Sequence, residues 1–533
     1  MPDSVAKQAI DSYQAASAAR GQWQTHWQEV ADMVDPSVHF NVSPVAGSKK
    51  KVKLYTSVGV DSSERLTSAL HGMLTSPSIM WFALRLVNRA QERPLAVRQW
   101  LQDARDTILS IFNSPRLGFN TAIAEVYQDI VAFGTGVLFI GGDIADGMFQ
   151  ARPISEIYIQ TNDESVVDTV WRKFTMTAKQ AVDKFGSESL PPKVQQDAAD
   201  GKQDARDYLH CVKPRSGYML GLANEAAKQM PWQSIYVDVQ AEVVVQSGGF
   251  RQMPYLTPRW RKHAGEIYGR SPGMSSLSEI QTINSMERTI LAATEKAVDP
   301  PLQVPDSGHI SPLKTFPGGL NFYQPGTRDR IEPMPLAQNF RPAELEIEKR
   351  KEDVRRMFFL DLLSLPLQDR MTTVEVMQRR DERMQQLSPV LSRIYSELLG
   401  PLINRVFGIA RRDGLIEAPP EGVEASDMDV EYLSPLALAQ RASEEVGLSR
   451  LINLVMPLAQ ADPSIMQGLN PDEILQGAAQ FYNVSPRFLR SIEEVQELRE
   501  QAAAAQQAAA QASMAKDAGS AAKDFGSAVR GAA

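Results

Sequence analysis

At 533 residues the chain is too long for one compact core, so two to four structural units are expected. Apolar residues at 43% and charged residues at 23% exclude a globally disordered chain. The 56 basic residues are outnumbered by 64 acidic ones, a net charge of −8, which argues against a tight DNA binder, whose affinity comes from neutralising phosphates, but not against a channel through which DNA slides.

The first residues, MPDSVAKQAIDSYQ, lack the apolar core of a signal peptide, and no export route is expected. Residues 4–34 place Trp23, Trp27, Val30 and Val34 at helical spacing ahead of Asp35-Pro36, which predicts a helix and its stop. The loop 36–53 carries Lys49, Lys50, Lys51 and Lys53; a nucleic-acid contact is one reading, a solvated loop the preferred one. Further helices are expected over roughly 57–75, 94–112 and 119–134, with a strand starting at Trp81. The longest nearly uncharged apolar run, Val131 to Gly142, is well short of the roughly 20 residues of a membrane span.

From 137 the period becomes that of strands. Segments 137–142, 148–154, 156–160 and 169–177 alternate and are punctuated by Asp146-Gly147 and Asn162-Asp163. A short helix follows over 177–185, with Thr177 as N-cap and Gly186 beyond its end. Strands at 207–213, 234–239, 242–246 and near 253–260 complete a mixed α+β first half. The segment RWRKHAGEIYGRSPG (259–273) then leads into a helix opened by Ser271-Pro272, a capping hydroxyl and a proline whose missing N–H is harmless there. Its apolar residues Met274, Leu277, Ile280, Ile283, Met286 and Ile290 form one stripe that ends at Asp299-Pro300-Pro301.

The proline- and glycine-rich insert 300–338 reads as a small irregular or β module. Residues 343–360 read as a returning rod with charge around most of its circumference, which suits a polar interface between copies. Thr372 and Glu375 fit a capping box for a helix that runs to Arg412, kinked at Pro389 and Pro401 and stopped at Gly414. Helices broken at Asp462-Pro463, Asn470-Pro471 and Ser485-Pro486 occupy 436–499, and an alanine- and glutamine-rich tail ends the chain. Helix, insert, returning helix and long kinked helix describe an elongated hairpin, not a catalytic cleft.

Catalytic signatures are missing from the sequence. There is no GxxxxGK[ST] phosphate loop and no HExxH. The six histidines are scattered, and the single cysteine, Cys211, fits a reducing compartment and leaves His210 without the companions a zinc site needs. Asp427, Asp429 and Glu431 alternate along DMDVEY; an exposed acidic strand is preferred to a cation site. No catalytic, cofactor or metal residue is assigned, and the chain is read as a non-enzyme.

Several motifs, taken in order, resemble the portal (head-to-tail connector) proteins of short-tailed bacteriophages: LYTSVGVDSSERLTSALHGMLTSPSIMWFAL (54–84), GEIYGRSPGM (265–274), AVDPP (297–301), PGGLN (317–321), RRMFFLDLL (355–363), MTTVEVMQRRDE (371–382) and YLSPLALAQR (432–441). The resemblance implies an α+β, mainly α, elongated subunit forming a dodecameric ring. It assigns 1–271 to a wing, 272–299 and 339–360 to the two stem helices and 300–338 to the clip. It assigns 361–372 to a channel loop, 373–433 to a kinked wing helix and return strand, and 434–511 to a helical crown, leaving 512–533 as a low-complexity tail.

The implied function is a non-enzymatic ring at one capsid vertex through which double-stranded DNA is packaged and ejected. Its implied partners are the terminase packaging motor, tail adaptor or tail tube proteins, and major capsid and scaffolding proteins, with no membrane and no cofactor. Assembly would take place in the bacterial host cytoplasm. Asp361, Leu362, Leu363, Leu365, Leu367, Asp369 and Arg370 would form the channel constriction. Glu346, Arg350, Glu352 and Arg356 would be inter-subunit or channel charges, unless they make only local pairs at i,i+4. Two alternatives are another structural virion component, an internal ejection or scaffolding protein, and a DNA-translocating enzyme.

Overall fold

The structure is a computed structural model that describes residues 4–40, 53–78, 80–92, 94–215, 230–303, 340–363, 387–423 and 428–432, with isolated positions at 314, 320, 332–334, 495, 501 and 504. The described chain is α+β and mainly helical. It divides into two compact units, one formed by Met1–Ile79 and Ile111–Ile409, the other by Met80–Ser110 and Ala410–Ala533.

In the larger unit, helix α1 (Ser4–Met33) serves two cores with one buried stripe. Its first half is narrow because the stripe is mostly alanine: Ala6, Ala9, Ile10 and Ala16 lie on Tyr158, Trp171, Leu209, Cys211, Ile235 and Val237 of a sheet. Its second half turns Trp27, fully buried, toward the end of α4 (Phe119–Phe133), where the indole N–H donates to the Phe133 carbonyl at 3.1 Å. Helix α2 (Val58–Leu74) packs beside α4. Thr67 donates to the Gln128 amide oxygen at 2.8 Å, while the Gln128 amide nitrogen donates to Ser63 at 3.1 Å.

The sheet under α1 is a five-stranded antiparallel meander, β4 (Ile157–Thr161), β5 (Val167–Thr177), β6 (Ala205–Pro214), β7 (Trp232–Asp238) and β8 (Val243–Phe250) in sequential order. Its other face carries Phe174, Tyr208 and Val245 against α5 (Ala178–Phe185) and α6 (Pro192–Ala199). Thr177 caps α5 as its sequence predicts, in a reciprocal box with Gln180. A smaller sheet in the order β3-β2-β9 joins β2 (Leu138–Ile140), β3 (Phe149–Ala151) and β9 (Tyr255–Leu256).

In the second unit, β1 (Phe82–Leu86) pairs antiparallel with β12 (Met428–Tyr432), from Phe82 opposite Tyr432 to Leu86 opposite Met428. Arg85 bonds Glu431 at 2.8 Å and Glu92 at 3.4 Å. Part of the acidic strand is thus neutralised across the ladder, and Asp427 lies outside the described residues. Helix α3 (Leu95–Asn113) contributes Trp100, whose indole donates to the Glu417 carbonyl at 2.9 Å.

Candidate functional site: the helical hairpin and its anchor

The segment 259–273 is a backbone junction. Gly134 ends α4 in the left-handed region (φ 79), and Gly269 crosses it so closely that a Cβ on either residue would collide with the other's carbonyl. That approach lets the Trp260 N–H reach the Gly134 carbonyl at 2.9 Å, and lets the Gly269 N–H reach Thr135 Oγ1, also at 2.9 Å. Ser271 then works twice: its hydroxyl donates to the Ala132 carbonyl at 2.7 Å and accepts the Met274 N–H at 2.9 Å. The first turn of α7 (Pro272–Val298) is thereby capped and bolted to the end of α4 in one step.

A buried ion pair holds the same junction to a second helix. Arg259, 3% exposed, meets Glu397 at 2.7 Å; its guanidinium also donates to the carbonyls of Ile267 at 3.1 Å and Ser165 at 3.2 Å. Arg393 shares Glu397 at 2.9 Å. Glu397 stands in a π-turn, Tyr395–Leu399, that follows the helical residues 387–394 and precedes α10 (Gly400–Arg412). The π-turn lies directly ahead of Pro401, whose ring and missing N–H disturb the regular ladder. The interruption expected at Pro401 therefore takes the form of a π-turn. Gly414 follows in the left-handed region (φ 74), and the Leu415 N–H closes on the Ala410 carbonyl at 2.9 Å, the stop its sequence predicts. Residues 373–386 of the expected kinked helix lie outside the described residues.

From this anchor α7 runs 27 residues, roughly 40 Å. Met274, Leu277, Ile280 and Ile283 are buried as expected; Met286 and Ile290 are half-exposed, because the core stops at Ile283. Helix α8 (Arg341–Met357) returns along α7 and contributes only Ile347 and Val354 to the core. Charge zips the rest. Arg350 bonds Glu279 across the hairpin at 2.7 Å and Glu346 on its own helix at 3.2 Å, and Lys351 bonds Glu287 at 2.7 Å. Of the two local pairs expected, Glu346–Arg350 forms, whereas Arg356 turns to Asp353 at 3.1 Å and Glu352 is exposed. Near the two ends of the insert, β10 (Leu302–Gln303) pairs antiparallel with β11 (Glu332–Pro333).

Phe359, in the left-handed region (φ 59), turns α8 into the short helix α9 (Leu360–Leu363). Its ring lies 6.0 Å from that of Trp260 and under the Arg261 guanidinium at 5.6 Å. Asp361 is exposed on α9, where Leu362 and Leu363 also lie; Leu365, Leu367, Asp369 and Arg370 fall outside the described residues, as do the crown segment 434–494 and the tail 512–533.

Three buried arginines escape sequence reasoning. Arg259 is one. Arg20 donates to the carbonyls of Ile154, Ser155 and Ile157 and lies 3.7 Å over the Tyr158 ring. Arg405 donates to the carbonyls of Gln252, Ile140 and Gly141. Arg20 interrupts the apolar face of α1 (between Ala16 and Trp27), which was the available signal.

Among the described residues no group of His, Cys, Asp and Glu could hold a metal ion, and no helix is long and apolar enough to cross a membrane. The described hairpin is a charged two-helix rod rooted in a hydrogen-bonded junction. The chain belongs to the bacteriophage head to tail connecting protein family, whose model matches residues 6–489. It is 27% identical over 502 residues to the portal protein of Salmonella phage epsilon15, covering 92% of this chain and 89% of that protein. It is 26% identical over 500 residues to the probable portal protein of Bordetella phage BPP-1, with the same coverage of 92% and 89%. Among solved structures, a chain from the neck of an empty gene transfer agent particle aligns with 79% of this chain and 94% of its own length, at 10% identity and a TM-score of 0.39. Head-to-tail connection at the portal vertex of a phage virion is the function that this membership carries.

Proposed function

We propose that the chain assembles head to tail into a dodecameric ring at one capsid vertex and does no bond chemistry. Double-stranded DNA passes through the ring in both directions. The terminase motor docks on the clip (300–338), and tail adaptor or tail tube proteins take its place after packaging. Capsid and scaffolding proteins surround the ring as it assembles in the host cytoplasm. The wing, stem and crown limits are those given above, and 361–372 is the channel loop.

The observation that supports this reading is the hairpin. Beyond Ile283 it carries Leu291 48% exposed, Val298 82% exposed and, on α8, Leu345 66% exposed, amid alternating charges. Such a surface is covered when a second copy packs on it, and a heterologous contact of that kind closes into a ring when its rotation fits. The reading is tested by negative-stain electron microscopy of the purified chain. Rings with a central hole near DNA width support it; monomers at all concentrations, filaments or compact dimers oppose it. For the constriction, deletion of 362–369 leaves rings intact and impairs retention of packaged DNA. Full retention by such rings refutes that assignment.

A further inference from the structure

Three cations from three elements meet on one side of the five-stranded sheet, with a single carboxylate among them. Arg172 projects from β5, Lys184 from the last turn of α5, and Arg152 from the residue after β3. Their floor is aromatic. The Lys184 ammonium lies 4.5 Å from the Tyr236 ring and 5.0 Å from that of Phe174, which also carries the Arg172 guanidinium at 4.4 Å. Tyr236 stacks on His210 at 3.9 Å, His210 meets the edge of Phe139 at 6.3 Å, and Arg152 lies 5.6 Å over Phe139. The rings form one continuous surface that links the three charges.

The charges do not cancel. Glu156 pairs with Arg172 at 2.8 Å. Arg152 donates to the neutral Gln150 amide oxygen, and its buried Nε has no hydrogen-bond partner among the described residues. Lys184 has ring contacts but no ion pair among the described residues. His210 adds no charge, since its ring nitrogens bond Tyr255 at 2.7 Å and Ser234 at 2.9 Å, and burial with the nearby cations disfavours its protonation. Three cations against one carboxylate leave a surplus of two. Burial, followed by the neighbouring Arg172 and Arg152, draws the Lys184 ammonium down to about 8, the response of a cation held beside others of its sign.

We infer that this niche is a binding site for a small phosphate dianion, held by Lys184 and Arg152 over the aromatic floor with Arg172 and Glu156 behind. A dianion cancels the surplus, whereas a carboxylate or a chloride cancels half of it. It can accept from the terminal nitrogens of Arg152, which is half-buried, and from the Lys184 ammonium. A DNA backbone fits less well: each of its phosphates carries one charge, and the Arg172 side chain is only 14% exposed, too deep for a duplex to reach. The site is independent of the connector reading and of ring formation.

The test is isothermal calorimetry of the full chain with inorganic phosphate at neutral pH, where Lys184 keeps its charge, and constant ionic strength, for the parent, Lys184→Gln, Arg152→Gln and the control Lys193→Gln in α6. One phosphate per chain is expected, with affinity lower by about tenfold or more in each of the first two variants, the loss of one charge-assisted hydrogen bond, and unchanged in the control. Lys184 is exposed as a residue although its ammonium lies over the rings, so its variant folds even if Arg152→Gln does not. Absence of saturable binding, or equal affinity in Lys184→Gln, overturns the inference. Displacement of phosphate by a short blunt duplex would reassign the niche to nucleic acid and overturns it as well.

Discussion

Removing the Glu397 carboxylate should cost more stability than removing the arginine it pairs with. In Glu397→Ala, Arg259, 3% exposed in the parent, loses its carboxylate partner, and breaking a buried pair from one side costs about 3–5 kcal/mol. Glu397 is 18% exposed, which favours the lower end, about 3 kcal/mol. In Arg259→Met the carboxylate keeps Arg393 at 2.9 Å. The loss there is chiefly the two bonds to the Ile267 and Ser165 carbonyls, about 1 kcal/mol each. Independent effects would sum to about 5 kcal/mol, but the double variant strands no buried charge, since Arg393 is 33% exposed, and should lose only about 3, a coupling near 2 kcal/mol. Urea unfolding followed by far-ultraviolet circular dichroism, at one fixed protein concentration, measures all three variants. A coupling below about 0.5 kcal/mol, or a Glu397→Ala midpoint equal to the parent's, would refute the clamp.

Gly269→Ala forces a Cβ into the Gly134 carbonyl and should cost about 2–3 kcal/mol, read as a lower urea midpoint. Arg350→Glu replaces attraction to Glu279 and Glu346 with repulsion; solvent screens these part-exposed pairs, so the subunit's urea midpoint should fall only slightly, and a collapse of ring yield in electron micrographs would place Arg350 between copies. Burial, then Lys184, Arg172 and Arg152, holds the pKa of His210 well below the usual 6.5. Below that pH the unfolded chain binds the extra proton, and stability falls by about 1.4 kcal/mol per pH unit; in His210→Gln the midpoint should drop less steeply from neutral pH to pH 5. Asp129 has the opposite sign: burial, then Asp35 and Glu125, raises its carboxyl well above 3.8. Its cost grows as pH rises beyond that value, so Asp129→Asn should be more stable than the parent at pH 7, the gap closing toward pH 4.

What was legible in the sequence was local. A cap needs its own residue and the next three, so Ser271 and Thr177 declare themselves, as does Gly414 after the last turn. Helix α6 went unrecognised because it has eight residues and buries only Val194, too little for a period. Strand β8 runs to Phe250, beyond the expected 242–246, through Ser247-Gly248-Gly249, whose small side chains carry no strand pattern and which β7 holds by hydrogen bonds. The partner of Arg350 is Glu279, 71 residues away, while Glu346 alone is a neighbour on the same helix. The choice of Asp353 over Glu352 by Arg356 is equally invisible, since i+3 and i+4 partners differ little in reach.

The anchor and the hairpin illustrate why a motif can be read before its purpose. In 259–273 each informative residue satisfies backbone: Gly134 and Gly269 by lacking a Cβ, Ser271 by bridging two helices, Arg259 by taking two carbonyls besides its carboxylate. Such residues have few substitutes, because a buried amide left unpaired costs about 1–3 kcal/mol. The outer hairpin has no such constraint from its own chain. There Glu279, Glu287, Glu346, Arg350 and Lys351 pair at part-exposed positions, where each bond contributes about 0–1 kcal/mol. One subunit's stability therefore does not fix these charges or the exposed Leu291, Val298 and Leu345. In the subunit itself, the buried hydrogen bonds are concentrated in the turn that roots the hairpin, and the exposed apolar side chains and part-exposed charges on the hairpin beyond it.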